Sequence, residues 1–160
     1  MVVRAVLVAI LCVVSAFGES PSLPSHDSSD TTGSVDAAFL VDLSTGDRHS
    51  LLLQVIRARD VIRSLASIKD VHTRFAVSAF HSSLTPVIEF DRSFATDADK
   101  VTEILMSLRP RVQTTSISVS TALMQSLDQF NASSSTSHKA LFLLSDGKTT
   151  DTVDETLRAL

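Results

Sequence analysis

Two short acidic turns hold the residues best suited to chemistry. The apolar run Ala37–Val41 ends in Asp42-Leu43-Ser44-Thr45-Gly46, and the run Ala140–Leu144 ends in Ser145-Asp146-Gly147. A glycine in each turn lets the backbone reverse sharply while its polar neighbours face a common point. Asp42 and Ser44 lie two apart in an extended-to-turn segment, so both side chains can address one ion. Asp146 can join them directly or through water. Carboxylates and hydroxyls, with no His or Cys at metal spacing, describe a hard oxygen site of the kind that holds magnesium. A third polar stretch, Thr114–Thr121 (TTSISVST), is hydroxylic at six of its eight positions. The plainer alternative makes Asp42 and Ser44 a cap and turn for the following helix, and Asp146-Gly147 an ordinary turn.

These turns need elements to position them, and the hydropathy pattern supplies a set. Ala37–Val41, Phe75–Phe80 and Ala140–Leu144 are unalternating apolar runs, as strands buried on both faces would be. Val87–Phe90 follows Pro86 and includes Glu89, which suits an edge strand. Leu52, Val55, Ile56, Ile62 and Leu65 recur at helical spacing from about Asp47 to Ser67. Val101, Ile104, Leu105 and Leu108 mark a second helix, opened by Thr96-Asp97 and stopped by Pro110. Ala122, Leu123, Leu127 and Phe130 mark a third, and Val153, Leu157 and Leu160 a fourth. Helices alternating with buried strands predict an α/β fold, a doubly wound and mostly parallel sheet with one antiparallel edge strand. In such a sheet ligands bind beyond the carboxyl ends of the strands, where both acidic turns fall.

The 160 residues carry 14 Lys and Arg against 18 Asp and Glu, and neither Trp nor Tyr. A net charge of −4 without those stacking residues excludes nucleic acid as a partner. The apolar excess sits at the start. Arg4 precedes the uninterrupted run Ala5–Val14, and Ala16 and Gly18 give the small-x-small spacing of a cleavage site. Residues 1–18 therefore read as a secretory signal, too short to span a bilayer. Its removal takes away Cys12, the sole cysteine, and with it any disulfide, cysteine-ligated zinc or thiol nucleophile. Residues 19–34, rich in Ser, Thr and Pro, read as a flexible leader. The folded unit is expected at 35–160, without a transmembrane span, in a secreted or extracellular product. Asn131-Ala132-Ser133 is an N-glycosylation sequon in that setting.

The order of segments resembles a von Willebrand factor type A domain. The resemblance rests on Ala37–Ser44 followed by a long helix, on Arg74–Phe80 with Val87–Phe90, and above all on Lys139–Gly147 (KALFLLSDG). It implies a metal-ion-dependent adhesion site built from an Asp-x-Ser-x-Ser motif, a threonine and a later aspartate. It further implies Mg2+ or Mn2+ as cofactor and an extracellular protein ligand offering a carboxylate. Asp42 and Ser44 match the first and third motif positions, and Asp146 the late aspartate. Gly46 stands at the fifth position and removes one ligand. Counting back from the third helix places the threonine on Ile117, which cannot ligate, while counting forward places it on Thr115. Thr115 or Ser118 is left as the substitute. The family's last two strands and final helix have no counterpart before Leu160, so the domain reads as C-terminally truncated.

Two other functions compete. One is a metal-free interaction module on the same fold. The other is a haloacid dehalogenase-type phosphotransferase, whose nucleophilic aspartate is followed two residues later by an aspartic general acid. Here that position is Ser44, which cannot protonate a leaving group. A serine hydrolase lacks its Gly-x-Ser-x-Gly elbow, and His26, His49, His72, His81 and His138 read as solvated or capping histidines.

Overall fold

The computed structural model describes residues 7–13, 33–44, 47–111, 118–132 and 137–145. Its elements in chain order are β1 (Leu7–Val13), β2 (Gly33–Asp42), α1 (Arg48–Ala66), β3 (Val71–Phe80), β4 (Leu84–Ile88), α2 (Ala98–Met106), α3 (Val119–Ala132) and β5 (His138–Ser145). They form one sheet in the order β1-β5-β2-β3-β4. β2 pairs in parallel with β3 on one side and with β5 on the other, and β4 returns antiparallel on β3.

Alternation along the central strands sends side chains to two separate cores, which is what makes the sheet doubly wound. Phe39 and Val41 of β2, Phe75 and Val77 of β3, and Phe142 and Leu144 of β5 face one side. There they meet Leu51, Val55, Ala58 and Ile62 of α1 and Val101 and Leu105 of α2. Phe39 and Phe142 stack across adjacent strands at 4.8 Å. Leu40, Phe80, Leu141 and Leu143 face the other side, against Val119, Ala122, Leu123 and Phe130 of α3. Helices on both faces are why these strands are apolar at consecutive positions rather than alternately.

The helix boundaries follow from capping. Asp47 opens α1 by accepting the backbone N–H groups of His49 and Ser50 at 3.0 and 3.3 Å. These bonds, with that of the Ser50 hydroxyl foremost, hold the Asp47 carboxyl below its ordinary pKa. Asp97 opens α2 through the N–H of Lys100 at 2.9 Å. Beyond α1 the chain turns at Asp70, whose φ of 62° is left-handed, and the carbonyl of Asp70 accepts the N–H of Gly33 at 3.1 Å.

Two differences from the sequence reading have physical causes. β2 begins at Gly33, inside the stretch read as leader, because its parallel ladder with β3 continues through Gly33–Val71 and Ser34–His72. β4 spans Leu84–Ile88 rather than Val87–Phe90, with Pro86 inside it. An edge strand accommodates proline, because a position facing away from the ladder needs no N–H. In the uncleaved chain Leu7–Val13, within the expected secretory signal, pairs with β5 as β1, a second antiparallel edge strand running from Leu7–Ser145 to Val13–Lys139. The fourth helical pattern, with Val153, Leu157 and Leu160, lies outside the described residues.

Candidate functional site

The strand order reverses direction at β2. Its neighbour β3 is reached through α1 on one face, while β5 is reached after α3, which packs on the other. A crevice opens at the carboxyl ends of two strands that diverge in this way. Asp42 is the last residue of β2 and Ser145 the last of β5. Because Val41 and Leu144 are register partners, the two terminal residues come side by side.

Asp42 is 2% exposed, and three donors converge on its carboxylate. Oδ1 accepts the Ser44 N–H at 2.9 Å and the Ser44 hydroxyl at 2.6 Å. Oδ2 accepts the Ser145 hydroxyl at 2.9 Å. Asp42 and Ser44 thus close a tight turn around the carboxylate. Ser145 is the member that sequence reasoning missed as a site residue. Its signal was there, since a hydroxyl at the end of a buried strand and beside an Asp-Gly turn had to face the neighbouring strand end.

A second buried aspartate on the same strand shows what is unusual about Asp42. Asp36 is fully buried, and the Arg74 guanidinium donates to both of its oxygens at 2.8 and 2.7 Å. That bond raises the Arg74 pKa above its ordinary value. Among the described residues no Lys, Arg or His lies within ion-pair distance of Asp42. Three neutral donors soften the desolvation of a carboxylate but do not neutralise it.

The other predicted ligands are placed less closely. Ser118 precedes α3, where its hydroxyl accepts the Thr121 N–H at 3.1 Å and contacts the hydroxyls of Ser120 and Thr121. It acts there as the helix cap, and it makes no hydrogen bond to Asp42 or Ser44. Thr115 and Asp146 lie outside the described residues, as does Gly46. Asn131 falls in the last turn of α3. Among the described residues no three His, Cys, Asp or Glu side chains cluster at metal-binding range. No described helix is long and apolar enough to cross a membrane.

With this geometry in place the comparisons decide the family. The model of the von Willebrand factor type A domain matches residues 36–160. The chain belongs to that family. No curated protein matches it in sequence. Among solved structures it is similar to proximal thread matrix protein 1 from the mussel byssus, with a zinc-occupied MIDAS motif. The TM-score there is 0.60 at 15% identity, over 79% of this chain and 35% of that one. It is also similar to the three N-terminal domains of the type V pili tip protein Mfa5 of Porphyromonas gingivalis, with a TM-score of 0.53 at 16% identity. That match covers 84% of this chain and 25% of the other. Manganese-loaded TRAP protein of Plasmodium vivax aligns with a TM-score of 0.50 at 18% identity, over 80% and 44%. At these identities the likeness is one of fold. The von Willebrand factor type A chain described here spans about a third of the byssus protein's length.

Proposed function

We propose that this domain is an adhesion module that binds a protein ligand through a divalent cation held at Asp42. The observation that carries the reading is the buried Asp42 carboxylate, which has hydroxyl and amide donors around it and no positive partner among the described residues. A hard cation is the natural counter-charge for such an oxygen set. Asp42 and the Ser44 hydroxyl would hold it, with Asp146 joining directly or through water and Thr115 or Ser118 completing the protein's share. Mg2+ or Mn2+ suits these ligands, and bound there it would present an open position to a ligand carboxylate. Zinc in the MIDAS motif of proximal thread matrix protein 1 and manganese in TRAP, two proteins of similar fold, support a metal site on this scaffold.

The fit is imperfect at one point. Gly46 provides no hydroxyl at the fifth motif position, and both Asp42 oxygens already accept protein hydrogen bonds. These facts favour a second reading, a metal-free interaction module, over any enzyme. Calorimetric titration with Mg2+ and Mn2+ separates the two. Heat that disappears in Asp42→Ala supports the cation, and no heat in the parent chain supports the metal-free module. Turnover of a generic phosphate ester, lost in Asp42→Asn, would instead revive the phosphotransferase.

Delivery to the cell exterior is the second part of the proposal, resting on Arg4, the apolar run and the small residues at 16 and 18. Sequencing the amino terminus of the product released from expressing cells tests it. The expected first residue is Glu19. Occupancy of Asn131 by glycan on the same product is expected as a mass increase lost in Asn131→Gln.

A further inference from the structure

The two sides of the sheet are finished differently. β4, at one edge, is five residues long with Pro86 inside it, and its register on β3 shifts between Val77 and Ser78. Short length, proline and a bulge are the usual means by which an edge strand is kept from pairing with another chain. The run Ala140–Leu144 of β5 has none of them. It carries no charge and no proline, and Leu141, Phe142, Leu143 and Leu144 are all buried. Such a strand belongs inside a sheet. In the uncleaved chain it is inside, because β1 covers its outer side through seven paired positions from Leu7–Ser145 to Val13–Lys139.

β1 lies within residues 1–18, the segment that delivery to the cell exterior would remove. Its loss leaves the outer N–H and C=O groups of β5 without a ladder. The pairing with β1 also demonstrates that this edge admits an antiparallel strand from Lys139 to Ser145. β5 itself meets that demand. Two copies laid antiparallel about a two-fold axis at Phe142 pair Leu141 with Leu143 and Ala140 with Leu144, and set Lys139 against Ser145. Residues opposed across an antiparallel pair share a face. Phe142 and Leu144 of both copies therefore continue the side of the α1 and α2 core, and Leu141 and Leu143 the side of α3. No like charges meet, whereas a parallel in-register pair would oppose Lys139 to Lys139.

We propose that removal of residues 1–18 uncovers β5 as a homodimer interface, at which the β5 of a second copy replaces β1 and the two sheets join into one. In the uncleaved chain β1 prevails, because a segment tethered through residues 14–32 acts at a far higher effective concentration than a second molecule. Cutting the tether removes that advantage. The antiparallel joining sends the two Asp42 clusters to opposite ends of the combined sheet, so the dimer bridges two ligands instead of gripping one. The interface rests on the delivery reading only for the cut to occur in the cell.

The test starts from the folded full chain, with a site-specific protease sequence inserted after Gly18 and EDTA present throughout. Mass is followed by light scattering and the β5 amides by hydrogen exchange. The uncut chain should be a monomer. Cutting should release the amino-terminal fragment and double the mass, with the amides of Ala140–Leu144 still protected. An excess of synthetic peptide with the sequence of residues 5–14 should return the dimer to monomer. A second variant needs no cut: Ala9→Pro with Ile10→Pro in the full chain breaks the β1 ladder and should dimerise likewise. The proposal is overturned if the released chain stays monomeric at about 0.1 mM, a concentration that admits even a weak dimer. It is equally overturned if the fragment stays bound after the cut, if the folded amide spectrum is lost on release, or if the peptide leaves the dimer intact. Protected β5 amides in a monomer would mean that another segment of the same chain covers the edge, and would overturn it too. Because the protease makes the cut, a chain that keeps residues 1–18 in cells fails the amino-terminal sequencing alone and leaves this result standing.

Discussion

Replacing Arg74 by methionine isolates the cost of a buried carboxylate that loses its cation. Asp36 and Arg74 are register partners on β2 and β3, joined by two hydrogen bonds of 2.8 and 2.7 Å. The Asp36 side chain is fully buried and the Arg74 side chain is 29% exposed. Arg74→Met keeps most of the apolar stem and removes the charge. Breaking a buried pair from one side costs about 3–5 kcal/mol, because the other charge stays behind. Partial exposure of Arg74 places the expectation near the lower end, about 3 kcal/mol. The lost cation–π contact over Phe90, at 5.6 Å from the ring centroid, adds about 0.5 kcal/mol. With a urea m-value of about 2 kcal/mol/M, the midpoint should fall by roughly 1.5–2 M. The double variant Asp36→Leu with Arg74→Met should recover most of that loss, since two apolar side chains leave no charge to desolvate. A single variant within about 0.5 kcal/mol of the parent would refute the buried-charge reasoning, since that is the size of an unremarkable surface change.

Three further outcomes follow from the same structure. Ser145→Ala deletes one donor to the buried Asp42 carboxylate and should cost about 1.5–3 kcal/mol in urea unfolding without cation. Gln54 is fully buried, and neither amide atom has a hydrogen-bond partner among the described residues, so Gln54→Met should leave stability unchanged or raise it by about 1 kcal/mol. A calorimetric scan in which Gln54→Met melts well below the parent would show that the amide is satisfied after all. Asp47 titrates below its ordinary value of 3.8 because Ser50 and His49 donate to it. Its contribution is therefore fully present above that value and lost as pH falls through its lower folded pKa. Parent and Asp47→Ala should differ in melting temperature by a constant amount at neutral pH, and the gap should shrink below about pH 4. A gap independent of pH would contradict that assignment.

Much of the fold was legible because the two-sided sheet writes itself into consecutive apolar residues. Phe39-Leu40-Val41 and Leu141–Leu144 alternate between the two cores, so neither run could be a half-wet strand or a surface helix. Asp97 announced α2 as its cap, whereas the capping role of Asp47 at the start of α1 emerges only from the structure. Strand starts were harder. Gly33 and Ser34 join β2 through tertiary pairing with Val71 and His72, which no local preference encodes. Leu7–Val13 shows the same limit more sharply, since an apolar run of that length fits a signal segment and an edge strand alike.

At the site, Asp42 and Ser44 could be paired from their spacing. Their contact with Ser145 depends on β5 lying beside β2, a long-range fact. His81 was misjudged for a related reason. Five scattered histidines offer no pattern, and only the packing at the end of β3 shows that this one is buried against Arg111. Ser118 was put forward as a metal ligand by counting along the chain, whereas its hydroxyl caps α3. Counting through a hydroxyl-rich segment cannot tell a cap from a ligand, because both need an oxygen at a helix start.

The cation at Asp42 is tested most directly by titrating Mn2+ into the 15N-labelled full chain and following paramagnetic broadening of its amides. Substoichiometric Mn2+ should broaden Asp42, Leu43, Ser44 and Ser145 first, and Asp42→Asn should abolish that selectivity while leaving the amide spectrum folded. Broadening that begins instead around the exposed acids Asp99 and Glu103 of α2, or that persists unchanged in Asp42→Asn, would contradict it.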